Sequence, residues 1–325
     1  MTNTLIILVA VLIIAALVQI TRVSELLSEI KKQDPNKVTD SNNKTQGILF
    51  LVVGSAFLIF VVWQMITWNH LLLPPASSLH GQEIDSLMKV SMGLILIVFF
   101  ALTPLLFYFV YKYRGNKNNK AYFFAHNNKL EVIWTVIPTI ILTCLIVYGL
   151  RTWERSMNPD LSQAKIIEVY AEQFKWTARE SGTDNKLGKA NFKLVTDRNA
   201  LGVDMNDVNS IDDKVVREVH LVVNKPVLLK FRAKDVIHSA FLPHFRVQMN
   251  CVPGLSTQFA FTPTQTTAEM KEQEGDDFEF VLLCNKICGA AHYNMQMSFI
   301  VETQQEYDAW IASQKKLSEK LLTQK

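Results

Sequence analysis

The sequence predicts a membrane-anchored chain of mixed class, with α-helical spans at the amino terminus followed by an all-β sandwich or barrel. Three observations carry this expectation. Hydrophobic residues make up 49% of the 325 residues and crowd into the first 153 positions. Four predominantly apolar runs in that part approach or reach the length of a bilayer crossing. From about residue 160 the pattern changes to short, β-rich stretches with no convincing helix between them, which indicates a sandwich or barrel. The formal net charge of +3 is small, and no basic block is interleaved with aromatics, so nucleic-acid binding is excluded.

The first run, Leu5–Ile20, is the shortest. A signal peptide is the alternative, but no positive charge precedes Leu5 and no clear small-residue cleavage site follows, so a retained span is expected. The runs Gly47–Trp68, Val90–Tyr113 and Leu130–Trp153 are all long enough to cross. Arg22, Lys31, Lys32, Lys37 and Lys44 lie between the first two runs, and Lys112, Arg114, Lys117, Lys120 and Lys129 between the last two. The loop between the second and third has Lys89 beside Glu83 and Asp85. The positive-inside rule places both basic loops in the cytoplasm, and everything after Trp153 outside it. The expected segments are 1–70, with two spans; 71–155, a two-helix hairpin; 156–303, the β domain; and 304–325, a helical tail.

Strands are expected at Lys165–Tyr170, Val215–Val223, Pro226–Phe231, Phe278–Leu283 and Met297–Val301, whose residues alternate or run apolar. The polar, Asn- and Asp-rich stretch Glu180–Asp213 predicts a long surface excursion. Tyr307, Trp310, Ile311, Leu317 and Leu321 recur at roughly helical spacing, so the tail is expected to dock as an amphipathic helix.

The chemistry concentrates between two of these strands, in Cys284–Gln296, CNKICGAAHYNMQ. So long a connection between strands is usually functional. Cys284, Cys288, His292 and Met295 would share one helical face, and a buried Cys/Met stripe is common. Gly289 in the middle, the closely flanking strands and a histidine in the stripe argue against that alternative. Thiolates with imidazole suit zinc, copper or iron–sulfur. Four cysteines for a cluster are lacking outside the membrane, because Cys144 lies in the fourth span and leaves Cys251 as the sole addition. The C-x-x-C-H pattern of covalent haem is absent too. A two-Cys, two-His zinc site remains open but leaves Met295 without a role, whereas copper takes Met as a weak axial ligand. A mononuclear blue-copper site uses one Cys; the second points to two copper ions bridged by thiolates. His238, in Asp235-Val-Ile-His238-Ser239, is the candidate second imidazole. A disulfide between Cys284 and Cys288 is the competing fate in an oxidising compartment.

Over roughly residues 88–312 the chain resembles subunit II of the haem–copper oxygen reductases, the cytochrome c oxidase family. Its most specific part is Cys-x-x-x-Cys-Gly-x-x-His-x-x-Met with the upstream Asp-Val-Ile-His-Ser-x-x-x-Pro. The resemblance implies a cupredoxin-like barrel behind a transmembrane hairpin and a dinuclear copper A centre. In that centre Cys284 and Cys288 bridge both coppers, His238 and His292 are terminal, Met295 is weakly axial, and Lys286 donates its backbone carbonyl. Glu131-Val-Ile-Trp134-Thr135-Val-Ile-Pro138 resembles the start of the second hairpin helix, where the Glu stands at the mouth of a proton-uptake channel; the alternative for Glu131 is an interfacial charge at a helix N-terminus.

Departures from the family pattern carry expectations of their own. The family's Gln-Trp-x-Trp-x-Tyr reads Gln173-Phe174-Lys175-Trp176-Thr177-Ala178 here, so Phe174 stands where an electron-relaying Trp is expected and Trp176 is left for packing or relay. Lys286 replaces a Glu that helps hold magnesium, and an ammonium cannot ligate a cation. Gln248-Met249-Asn250 replaces Lys-x-Asp. An altered or absent magnesium contact is therefore predicted. The acidic docking patch for a basic cytochrome c is thin, with Lys234 beside Asp235.

The resemblance implies an electron-accepting subunit of a proton-pumping oxygen reductase in a bacterial inner membrane, its carboxy-terminal domain periplasmic. Partners would be subunit I with its haem and copper, subunit III, the bilayer, and a cytochrome c or a cytochrome c domain of a partner complex. No haem is expected in this chain. The copper A subunit of a nitric oxide reductase-like complex, and a non-catalytic copper or zinc protein, are the competing functions. A quinol oxidase subunit would lack the ligands.

Overall fold

The computed structural model describes residues 2–30 and 38–322, so Lys31, Lys32 and Lys37 of the first basic loop lie outside the described residues. The chain forms two compact units, Met1–Asn69 with Ile95–Asn127, and His70–Leu94 with Asn128–Lys325. Among the described residues, four helices are long and apolar enough to cross a membrane: α1 (Thr2–Ile30), α2 (Asp40–Thr67), α3 (Leu79–Lys112) and α4 (Asn128–Met157). Each is longer than the apolar run that announced it, α2 and α3 through polar turns at the amino-terminal end, α1 and α4 mainly beyond the carboxy-terminal end. Thr39 caps α2 by accepting from the Asn42 amide at 3.2 Å. Within the first unit, α2 packs on the carboxy-terminal half of α3 through small residues: a Cβ on Gly54 would fall 2.3 Å from the Phe107 ring.

In the second unit the polar first turns of α3 are tied to the β domain. Arg246 grips Asp85 with two hydrogen bonds, at 2.8 and 2.9 Å, and the Ser77 amide donates to the His244 carbonyl at 2.7 Å. The β domain is two five-stranded sheets. One has the order β3 (Lys214–Val216), β2 (Lys175–Glu180), β1 (Lys165–Glu172), β5 (Val227–Ala233) and β8 (Thr257–Phe261). The other runs β4 (Val219–Val222), β10 (Gln296–Glu302), β9 (Phe280–Cys284), β6 (His238–Leu242) and β7 (Val247–Cys251). β1 with β5 and β4 with β10 are parallel, and the other pairs are antiparallel. One core fills the space between them, with Ile167, Leu229, Phe231, Leu242, Phe245 and Phe280 almost fully buried. This is the expected architecture of apolar helices followed by a cupredoxin-like sandwich.

Several elements differ from expectation. The run Val215–Val223 is two strands in different sheets, because the chain crosses between sheets at Arg217 and Glu218. Strands β2, β6, β7 and β8 and the helix α5 (Thr267–Glu274) were not anticipated. The tail is two helices, α6 (Gln304–Ser313) and α7 (Leu317–Leu322). Both dock: the Trp310 ring stacks on His220 at 3.8 Å, the Tyr307 hydroxyl donates to Glu180 at 3.2 Å, and Leu317 packs with Tyr170, Leu201 and Val203. The side chain of Leu321 lies outside the described residues. The excursion after β2 is more than surface, since buried Arg179 anchors it by bonding Glu168, the Gly188 carbonyl and Asp213, each at 2.9 Å.

Candidate metal centre

Strand directions bring four connections to one end of the sandwich: residues 173–174, 234–237, 252–256 and 285–295. The last is the Cys/His/Met segment, and it is not a helix. Gly289 has φ +144°, in a region that favours glycine, and a Cβ there would also lie 2.7 Å from the Phe174 ring. The helical-stripe alternative therefore fails at the residue that argued against it. The segment closes on itself, with the Cys284 amide donating to the Met295 carbonyl at 3.2 Å and one 3-10 turn at His292–Asn294. It is pinned to β6 by the Asn285 amide donating to Ser239 at 2.9 Å.

The fold brings together all the residues expected to hold metal. His238 opens β6 and is fully buried; Met295 is buried, Cys284 and Cys288 are buried, and His292 is half-buried. The two sulfurs are 3.9 Å apart and unbonded. His238 Nδ1 lies 3.8 Å from Cys284 Sγ, and the Lys286 carbonyl 3.3 Å from the same sulfur. His292 Nδ1 and Met295 Sδ lie 3.7 and 3.9 Å from Cys288 Sγ. The donors thus divide into two groups, each centred on one of a pair of adjacent thiols. Among the described residues this is the one cluster of three or more His, Cys, Asp or Glu with ligand atoms close enough to share an ion, through His238, Cys284 and Cys288. Soft sulfur with imidazole fits copper or zinc. Burial, and then the neighbouring Cys284, push the Cys288 thiol up to about 11, so an arriving metal must displace a proton.

Sequence reasoning missed the groups that orient these ligands. Asp235 Oδ1 lies 2.9 Å from His238 Nε2; with that nitrogen as donor, Nδ1 turns its lone pair toward Cys284. Burial opposes ionisation of Asp235, but hydrogen bonds from the Gln173 amide, His238 and the Val236 amide outweigh it and hold the carboxyl below its ordinary value. The Gln173 side chain donates to the Cys288 carbonyl. A signal was available for Asp235, three residues before a candidate histidine ligand; Gln173 offered none, being 115 positions from Cys288. Trp176 is buried, donates from Nε1 to the Met295 carbonyl at 3.3 Å, and sits edge-on to His238 at 6.1 Å. Phe174 is half-buried against Gly289. Glu131 lies away from these, exposed in the first turn of α4. Lys286 presents its side chain to solvent.

Comparison with known proteins agrees with this architecture. Residues 66–152 match the family model for the cytochrome c oxidase subunit II transmembrane domain, and residues 166–303 that for its periplasmic domain. The chain is similar to the alternative cytochrome c oxidase subunit 2 of Bradyrhizobium diazoefficiens, 29% identical over 271 residues, covering 82% of this chain and 90% of the relative. It is 25% identical over 291 residues to a cytochrome c oxidase subunit 2 of Synechocystis, covering 82% of each. The solved periplasmic domain of cytochrome oxidase subunit II from Bradyrhizobium japonicum matches 47% of this chain and 94% of its own, with 20% identity and a TM-score of 0.31.

Proposed function

The chain belongs to the cytochrome c oxidase subunit II family, and on that premise we propose that it accepts electrons for a terminal oxygen reductase at a dinuclear copper centre. The ligands would be Cys284, Cys288, His238, His292, Met295 and the Lys286 carbonyl. One observation carries the assignment: two adjacent free thiols, each with its own imidazole and its own weaker donor. A single tetrahedral zinc would use two thiols and two imidazoles and leave Met295 and the Lys286 carbonyl idle. A copper pair held by these residues would supply a one-electron store. The chain's own residues keep the donors where they are. Asp235 fixes the His238 ring, Gln173 and Trp176 hold the Cys288 and Met295 carbonyls, and burial keeps water from the sulfurs. Ligands held this firmly need little rearrangement when the charge changes, which favours fast electron transfer.

Electrons would come from a cytochrome c, free or as a domain of a partner complex, with Phe174 and Trp176 nearest on the donor side. They would pass to haem in subunit I, and subunit III would complete the assembly. The four candidate spans, with both basic loops expected in the cytoplasm, support a β domain on the periplasmic side of a bacterial inner membrane. Glu131 would then stand at the cytoplasmic end of α4, where a carboxylate can admit protons to the catalytic subunit. Metal analysis and electron paramagnetic resonance of the purified complex test the centre: a mixed-valence dicopper signal is expected, and zinc without copper sinks the assignment. Cys284→Ser is expected to abolish cytochrome oxidation with membrane insertion intact. Glu131→Ala should slow proton-coupled haem reduction, and a normal rate would return Glu131 to an interfacial charge.

A further inference from the structure

The metal end of the sandwich carries an unusual charge balance. Its four connections and the residues flanking the β1–β2 turn contain three cations, Lys175, Lys234 and Lys286, and two carboxylates, Glu172 and Asp235. Neither carboxylate is free. Glu172 is nearly buried and bound by both Lys175 and Lys234, at 2.8 and 2.7 Å. Asp235 is occupied by His238 at 2.9 Å and by the amides of Gln173 and Val236, both at 2.7 Å. Lys286 has no ion-pair partner among the described residues and is exposed. The 252–256 connection, Val-Pro-Gly-Leu-Ser, adds no charge.

The surface between these charges is apolar. Val236 and Ile237 are 37% and 44% exposed, and half-buried Phe174 sits in the β1–β2 turn, whose Gln173 amide donates to Asp235. This turn and the 234–237 connection both touch the candidate ligands, since the Gln173 side chain donates to the Cys288 carbonyl and Asp235 bonds His238. An electron donor approaching here meets exposed apolar side chains and a net charge of +1 from three lysines and two carboxylates, and Lys286 is the one of these lysines with no ion-pair partner among the described residues.

Building on the copper reading above, we infer that this end docks a small redox protein whose contact face is apolar at its centre and neutral or acidic at its rim. A lysine-rimmed donor of the kind the family resemblance implies meets net repulsion. Affinity for the matching donor comes from apolar burial, and orientation from Lys175, Lys234 and Lys286 facing its acids. Lys234 carries the most weight, since it adjoins both Asp235 and the apolar pair Val236 and Ile237.

The test uses the intact, purified oxidase complex with two single-haem cytochromes c as probes, one lysine-rich and one acidic, over a range of ionic strength. In the wild type, kcat/KM for the acidic donor is expected to fall as salt rises, while that for the basic donor stays flat or rises. Lys234→Glu should invert the preference, raising kcat/KM for the basic donor at low salt by roughly threefold or more and lowering it for the acidic donor. The dicopper resonance signal reports whether the variant's centre is assembled. A wild-type rate with the basic donor that falls steeply with salt, copper signal present, overturns the donor inference alone, and needs no variant. Absence of that signal overturns the copper reading, and the donor inference falls with it.

Discussion

Replacing Asp235 by Asn separates the orienting role of its carboxylate from its bulk. The two carboxylate oxygens face three donors: Oδ1 meets His238 Nε2 at 2.9 Å and the Val236 amide at 2.7 Å, and Oδ2 meets the Gln173 amide at 2.7 Å. An amide has one oxygen and one NH2 group. Whichever way it turns, donor faces donor, either at Gln173 or at both His238 and Val236. Keeping the oxygen on His238 leaves the Gln173 amide opposed, and the negative charge that raises imidazole basicity is gone in either case. Losing a hydrogen bond to a charged group costs about 1.5–3 kcal/mol. That matches the 10–100-fold loss of metal affinity, or about 1.4–2.7 kcal/mol, found when a partner of a ligating histidine is removed. Copper affinity of the full chain in detergent, measured against a competing chelator, should therefore fall by roughly 10–100-fold in Asp235→Asn. The hyperfine pattern of the resonance signal should change with it, because the His238 ring is no longer fixed. An affinity within about threefold of wild type would refute the reasoning, since a factor of that size is under 1 kcal/mol.

Glu180 lies fully buried beneath α6, with Oε1 lacking any hydrogen-bond partner and Oε2 accepting from Tyr307. Burial raises its carboxyl from 4.5 to about 7, although Lys165, Tyr307 and Lys214 pull the other way. Between those two values the unfolded chain gives up the proton and the folded chain keeps it. Stability should thus decline by roughly 3 kcal/mol as pH rises through this window. Glu180→Gln should flatten that decline in thermal unfolding of the detergent-solubilised chain, and an unchanged slope would count against the assignment. Arg179→Met leaves Asp213, and in part Glu168, buried without a counter-charge. A loss of roughly 3–5 kcal/mol is expected, read as a lowered melting temperature; a change under 1 kcal/mol would mean the excursion is anchored by other contacts.

The sequence was legible where chemistry or hydropathy is local. Four apolar runs became four helices, and Cys284, Cys288, His292 and Met295 lie within twelve positions, so their spacing could be weighed directly. Their non-helical arrangement turns on Gly289, whose positive φ breaks the helical alternative at the point where it would otherwise be strongest. Illegibility begins where a residue's environment is set by distant strands. β7, Val-Gln-Met-Asn-Cys, alternates buried and exposed as a strand should, yet five residues with two amides give too weak a signal. α5 is short and polar, and its one readable sign was the capping box of Thr266 and Glu269. The polar start of α3 is invisible to hydropathy, because its reason is Arg246, 161 positions away from Asp85.

The same geometry couples the ligands to the surface that meets a donor. Asp235 has three of its acceptor positions taken by His238 and the amides of Gln173 and Val236, so a lysine recruited to the same oxygens would compete with the imidazole. Glu172 is likewise saturated by Lys175 and Lys234. The acids that hold this end together are outnumbered there by lysines, three to two, so the net field presented outward is weakly positive. Gln173 extends the coupling, since its amide holds Asp235 while its side chain holds the Cys288 carbonyl. Substitutions at Gln173 or Asp235 would change the copper site and the docking surface together and could not separate them. The Lys234 side chain bonds to neither ligand nor ligand-holding group among the described residues, only to Glu172, and its amide donates to the Ala171 carbonyl. A charge reversal there alters what a donor feels and leaves the imidazole and the thiols with the partners they have.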